Sequence, residues 1–366
     1  MKSHGYAWWR APLWMGVDAA SWVRLLSANG FRVSVGHLPR AAVVTGGAVS
    51  TSLVRLFGGA AASASASPVP ADPVVILGHW RTGTTHLHGL LHATGLFGAP
   101  ALQQVFLPHH PAWAARLIHP LTRVAGHGKR PMDDVVIDDE GPQEDEFGLL
   151  LRGAPSPYEA LLFPRAHHHW RRLTTEGYAP EELARRRQAV EEHVLRVAGD
   201  TGRRRLLLKS PTYTGQIDLL LSLFPRARFI HLVRHPDEIF PSTAWMLRAL
   251  RHTQGLQRSD EGDIEDLVVE NLRRMYAGYR RHAPTLPEGC LTTVRYEQLV
   301  ETPVETVRTI LELVGIEPNE DVLRRVEHRV RALSGYAANR HRITEAQCDR
   351  LREAWDFYFR DFGYED

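Results

Sequence analysis

At 366 residues, 43% hydrophobic and 23% charged, the chain is long enough to bury one large α/β core or two smaller ones. Its 44 basic and 42 acidic side chains leave a formal charge of +2, too small for the field that a nucleic-acid surface requires, so nucleic acid is not an expected partner. Two cysteines, Cys290 and Cys348, set neither a disulfide framework nor metal-ligand spacing, which suits a reducing cytoplasm, the compartment expected here.

The N-terminal segment lacks the compact apolar core and small-residue cleavage site of a signal peptide, and no run is apolar for long enough to span a bilayer. Trp8, Trp9, Trp14, Trp22, Leu25, Leu26 and Phe31, with Arg10 and Arg24, form an amphipathic pattern. It suits either packing on the main domain or a weak contact with a membrane surface, and aromatic residues at helical spacing favour packing. Residues 58–72, rich in Ala, Ser and Pro, read as a linker. The chain therefore divides into a helical segment with its linker, 1–72, and a main domain, 73–366.

Val74 to Leu77 read as a buried strand of a parallel sheet, and Gly78, Gly83 and the hydroxyls of Thr82, Thr84 and Thr85 mark a tight turn into a helix. At such a helix start the free N–H groups and the positive end of the dipole favour a phosphate or sulfate. Arg81 adds a full positive charge, and His86 lies in the first helical turn. The triphosphate-binding version of this loop ends in Gly-Lys-Ser/Thr, whereas here the matching place reads Gly83-Thr84-Thr85. A ligand-free strand-to-helix turn is the plain alternative. Trp80 either stacks beside a bound base or caps the strand.

Residues 101–170 are less regular, with Pro108-His109-His110-Pro111, an acidic run from Asp138 to Glu146, and the triplet His167-His168-His169. Such a connection reads as a lid or acceptor pocket, and Phe106, Trp113 and Phe147 give it an apolar lining. The histidine triplet reads as a solvent-facing helix start and not as a metal site.

Three further strands follow, Arg205 to Lys209, Phe229 to Val233 and Leu291 to Val294, each leading into a helical period. Ligands of open α/β sheets sit beyond the carboxyl ends of the strands, so Arg81, Lys209 and Arg234 are expected in one crevice. Ser242, eight residues after Arg234, lies in the early turns of the next helix and can reach the same phosphate.

The loop Arg81-Thr-Gly-Thr-Thr85, the Arg234/Ser242 spacing and Lys209-Ser-Pro-Thr-Tyr-Thr together resemble the sulfotransferases that use 3′-phosphoadenosine 5′-phosphosulfate (PAPS), in their bacterial, tyrosylprotein and cytosolic forms. Val294-Arg-Tyr-Glu-Gln-Leu, Gly335-Tyr-Ala-Ala-Asn-Arg-His341 and Trp355 with Tyr358 to Tyr364 extend the resemblance over about residues 73–362. It implies an α/β fold, P-loop-like, with three layers and a mostly parallel central sheet. It also implies a catalytic lysine at Lys209, a 5′-phosphosulfate site at Arg81 to His86, and a 3′-phosphate site at Arg234 and Ser242, with Asn339 and Arg340 joining the cofactor-binding residues. The implied reaction moves a sulfuryl group to a hydroxyl of a small-molecule, lipid or carbohydrate acceptor, without a metal. A P-loop-type kinase and a catalytically inactive nucleotide-binding protein are the rival readings.

The general base departs from the family pattern. Cytosolic members carry a histidine where this chain has Pro211, and the tyrosylprotein group carries a glutamate where it has Gln103 and Gln104. The remaining candidates are Glu144, ahead of Glu146, in the acidic run, and the pair His109 and His110.

Overall fold

The structure, a computed structural model, describes residues 12–57, 72–110, 141–202, 205–333 and 343–364. In chain order these form α1 (Ala19–Ala28), α2 (Leu38–Phe57), β1 (Val74–Leu77), α3 (Thr84–Ala93), α4 (Leu102–Phe106), α5 (Asp145–Leu151), α6 (Glu159–Leu162), α7 (Pro180–Thr201) and β2 (Leu207–Lys209). Then come α8 (Ile217–Leu223), β3 (Arg228–Val233), α9 (Pro236–Gln254), α10 (Ile264–His282), β4 (Leu291–Arg295), α11 (Tyr296–Glu301), α12 (Pro303–Leu313), α13 (Glu320–Leu333), α14 (Glu345–Ala354) and α15 (Asp356–Phe362).

The strands line up in the order β2-β1-β3-β4 and every pair is parallel, so all their carboxyl ends share one edge. Parallel strands are covered on both faces and therefore read as continuous apolar runs, as Val74 to Leu77 do. Alternation along the strands divides the core. Val75, Leu77, Leu208, Phe229 and Val233 point into one cluster with α9 and α10, while Val74, Ile76, Leu207, Ile230 and Leu232 point into a second with α3, α12 and α13. This is the three-layer α/β fold expected from the sequence. β2 is shorter than expected, because Leu206 bridges to Gly98 outside the sheet proper.

The helices before the sheet join the first cluster, with Trp14, Trp22, Val44 and Ala48 buried alongside Val75 and Leu77. Trp22 donates from Nε1 to Thr45 Oγ1 at 2.9 Å, and the Leu13 and Ser34 N–H groups donate to Gln254 Oε1 and the Leu256 carbonyl. Trp14 and Trp22 thus take the packing alternative; Trp8, Trp9 and Arg10 lie outside the described residues. No helix among the described residues is long and apolar enough to cross a membrane.

Candidate active site

The loop between β1 and α3 is shaped by backbone handedness. Arg81 and Gly83 both hold positive φ, 70° and 96°, which turns successive N–H groups in the manner of an anion-binding concavity. Only glycine fits at position 83: an added Cβ would lie 2.3 Å from the Tyr296 ring. Gly78, closing the strand, has φ 145°, and a Cβ there would meet the Leu232 carbonyl oxygen at 2.6 Å and Thr82 Oγ1 at 2.8 Å. The Thr82 hydroxyl donates to the His79 carbonyl, so it braces the loop. Thr84 is buried and Thr85 exposed at the start of α3, and His86 is partly buried, its pKa lowered by burial and by Arg329.

The second arginine meets this loop. Arg234, just past β3, donates from a terminal nitrogen to the Arg81 carbonyl at 3.1 Å and from the other to Glu238 at 3.2 Å, while its guanidinium lies 4.4 Å from the Tyr296 ring centroid. Arg81 Nε donates to Ser242 Oγ at 2.8 Å. Arg81, Arg234 and Ser242 therefore share one crevice. The pairing differs in one respect from the spacing argument, since Ser242 is held by Arg81 and not by Arg234.

Lys209, at the end of β2, is 3% exposed, and its ammonium donates to Glu144 Oε2 at 3.1 Å. Glu144 stands at the N-cap position of α5 with its side chain turned away from the helix N–H groups, and its other oxygen accepts from the Tyr158 hydroxyl, which in turn accepts from Trp80 Nε1 at 2.7 Å. A relay of direct hydrogen bonds thus runs from the anion loop through Tyr158 and Glu144 to Lys209. Burial, with the charge of Glu144 second, raises Tyr158 well above its ordinary pKa, so it stays a protonated donor. Trp80, packed edge-on to Trp170 and 6% exposed, is committed to this role and to packing, which decides against its lying open beside a bound base.

The two residues after Glu144 do different work. Asp145 accepts the Lys209 backbone N–H at 2.6 Å and lies 3.0 Å from His193 Nε2. Glu146, fully buried, receives both terminal nitrogens of Arg186 at 2.8 Å, with the Ser156 and Thr212 hydroxyls. Burial opposes its charge, but Arg186 and the two hydroxyls win and hold its carboxyl below the ordinary range. Glu146 is therefore structural, not a free base.

His109 is not brought to Lys209. Its Nε2 lies 2.9 Å from the Leu151 carbonyl and 3.4 Å from Asp18, the N-cap of α1, and burial lowers its pKa to about 4. The ring is spent on joining the N-terminal helices to the body, a long-range contact that the histidine pair does not advertise. In the triplet, His169 is 1% exposed and faces Asn29, Arg172 and Glu159, so the expected solvent-facing helix start holds only for its neighbours. Asn339, Arg340 and Trp113 lie outside the described residues. Tyr158 escaped the sequence reading, and Tyr296 was quoted within the motif Val294 to Leu299 but given no role; its signal was its place directly after β4, at the same sheet edge.

A family model described as "Sulfotransferase family" matches residues 73–321. Two curated relatives, both named omega-hydroxy-beta-dihydromenaquinone-9 sulfotransferase Stf3, from Mycobacterium bovis and Mycobacterium tuberculosis, are 32% identical over 367 residues, covering 98% of this chain and 92% of each relative. Among solved structures, sulfotransferase STF9 from Mycobacterium avium aligns with a TM-score of 0.69 at 16% identity, over 94% of this chain and 92% of that one. Sulfotransferase STF1 from M. tuberculosis H37Rv aligns with a TM-score of 0.64 at 16% identity, over 93% of each chain. These two carry the likeness of fold; the family match and the end-to-end relatives carry the kinship, and the chain belongs to the sulfotransferase family.

Proposed function

We propose that the chain moves a sulfuryl group from PAPS to a hydroxyl on a lipid acceptor. The observation that carries this reading is the meeting of Lys209, Glu144 and the anion loop at the carboxyl edge of the sheet. The loop residues Arg81 to His86 are assigned to the 5′ end of the donor and Arg234 and Ser242 to its 3′-phosphate, with Asn339 and Arg340 kept among the donor-binding residues. The positive-φ cradle and the two guanidinium groups supply the shape and charge that such a bis-anionic donor needs.

When bound, the donor supplies the sulfuryl group, which leaves a phosphate oxygen as the acceptor oxygen bonds to sulfur. Glu144 takes the proton of the acceptor hydroxyl, its carboxylate kept in place by Tyr158 and Lys209. Lys209 and Arg81 stabilise the negative charge that grows on the departing oxygen. A sulfuryl group carries less charge than a phosphoryl group, so these cations suffice and no metal ion is required. The acceptor class follows from two supports. The Stf3 relatives are named for an omega-hydroxylated menaquinone, and the partly exposed Phe106 and Phe147 rings lie 5.8 Å apart, with Phe147 5.5 Å from the buried Tyr158 that holds Glu144.

Mass-spectrometric detection of product from PAPS and an omega-hydroxylated isoprenoid quinol tests the reaction, with turnover expected to survive EDTA; loss with EDTA and recovery with magnesium would refute the metal-free step. Thermal denaturation with 3′-phosphoadenosine 5′-phosphate, ATP and AMP tests the donor. Stabilisation by the first alone, weakened by Arg234→Ala, is expected, and stabilisation by ATP in its place overturns the assignment. Binding without any sulfated product would favour the inactive nucleotide-binding reading.

A further inference from the structure

Nine of the eleven exposed large hydrophobic side chains among the described residues fall between Met15 and Leu56. The helix α2 explains most of them. Its inner line, Arg40, Val44, Ala48 and Thr51, is buried, with Arg40 donating to the Gly255 and His252 carbonyls. Its outer line, Leu38, Ala42, Val49, Leu53 and Leu56, faces water and is equally apolar. The only charges in its sequence are Arg40 and Arg55. A helix face turned to water normally carries charge, so this one lacks a partner among the described residues.

The tip joining α1 to α2 has the same character. Phe31 sits at φ 54°, a left-handed conformation costly for a bulky residue, and is 60% exposed; Val35 is 82% exposed.

Charge selects the partner. Between residues 12 and 57 the acidic residue Asp18 stands against Arg24, Arg32, Arg40 and Arg55. Asp18 is buried, where it caps α1 and meets Arg55 and His109, whereas Arg24 and Arg32 are exposed. A second copy packed two-fold on this face would bring like charges together. Within residues 12–57 the exposed charges, Arg24, Arg32 and Arg55, are all basic, and an apolar face in such a segment matches the anionic headgroups and outer acyl region of a bilayer.

We propose that the outer face of α2 and the α1–α2 tip dock this chain on an anionic phospholipid surface. Docking is read without turnover, so its failure is distinguishable from failure of the donor or acceptor reading. The full chain is sedimented with vesicles of phosphatidylcholine, with or without phosphatidylglycerol. Binding is expected only with phosphatidylglycerol, weakening as salt rises. Leu53→Glu combined with Leu56→Glu, and separately Phe31→Ser, are each expected to weaken binding about tenfold or more while leaving the melting temperature unchanged, since these side chains are exposed in the free protein. If the parent ignores anionic vesicles, or if both variants bind like the parent, the proposal is overturned. A reversible dimer in sedimentation velocity that the glutamate pair abolishes, without vesicle binding, would give the face to a second copy and overturn it too.

Discussion

Glu144→Gln preserves the length and shape of the side chain and removes its charge. In the parent, one carboxylate oxygen accepts from Tyr158 and the other from the Lys209 ammonium at 3.1 Å. Whichever way the amide turns, its NH₂ meets one of these two donors, so the relay from Trp80 to Lys209 breaks and the proposed base is lost. A positioned general base contributes about 10²–10⁴ in rate, equivalent to about 2.7–5.4 kcal/mol of transition-state stabilisation. Initial rates at saturating PAPS, with product identified by mass spectrometry, are expected to show a fall of this size in kcat. Affinity for 3′-phosphoadenosine 5′-phosphate, measured by calorimetry, should change little, because Glu144 lies outside the anion loop. His109→Ala, acting on a ring bonded to Leu151, serves as the control and is expected to retain turnover. Should Glu144→Gln keep its rate within about threefold of the parent, the base is another group.

Gly83→Ala forces a Cβ against the Tyr296 ring at a positive φ, and Tyr296 also underlies Arg234. The variant is expected to lose about 1–3 kcal/mol of stability in urea denaturation and to bind 3′-phosphoadenosine 5′-phosphate more weakly. Arg186→Met leaves Glu146 charged and buried, at a cost of about 3–5 kcal/mol, and adding Glu146→Leu is expected to restore most of it; a double variant no better than the single would contradict the pairing. Stability is also expected to fall with acid in two stages. Burial lowers His79 to about 4 and His231 to about 3, so below the ordinary 6.5 the unfolded chain takes up protons that the folded chain refuses. Stability is thus complete above 6.5 and declines as pH falls through that value. Glu146, held below 4.5, adds its loss as pH drops further. A melting temperature that rises on acidification from 6.5 would count against both assignments.

The sheet and the placing of Arg81, Lys209 and Arg234 at the carboxyl edge of its strands were legible because both follow from local pattern. Apolar runs of strand length, each ending in a polar residue, fix the strands, and parallel pairing brings their ends together. The partners of those residues were not legible, because they are set by packing between distant segments. Glu144 was in view as one of several carboxylates, but its separation from Glu146 depends on Lys209 and Tyr158 on one side and Arg186 on the other. The same holds for His109, whose role is decided by Asp18 on the first helix. Phe31 was read with the N-terminal aromatic pattern, where packing was favoured over a membrane contact, and the outer face of α2 was not read at all, since apolar periodicity alone does not say which of two apolar faces meets the core.

Glu144, Asp145 and Glu146 also constrain how this enzyme can be altered. Glu144 is the extended N-cap residue and Asp145 and Glu146, which diverge by about 100°, open α5, so an insertion or deletion within these three positions would move the carboxylates off their partners. A graft that reshapes the neighbouring surface to admit a new acceptor must therefore leave these three residues and their order intact.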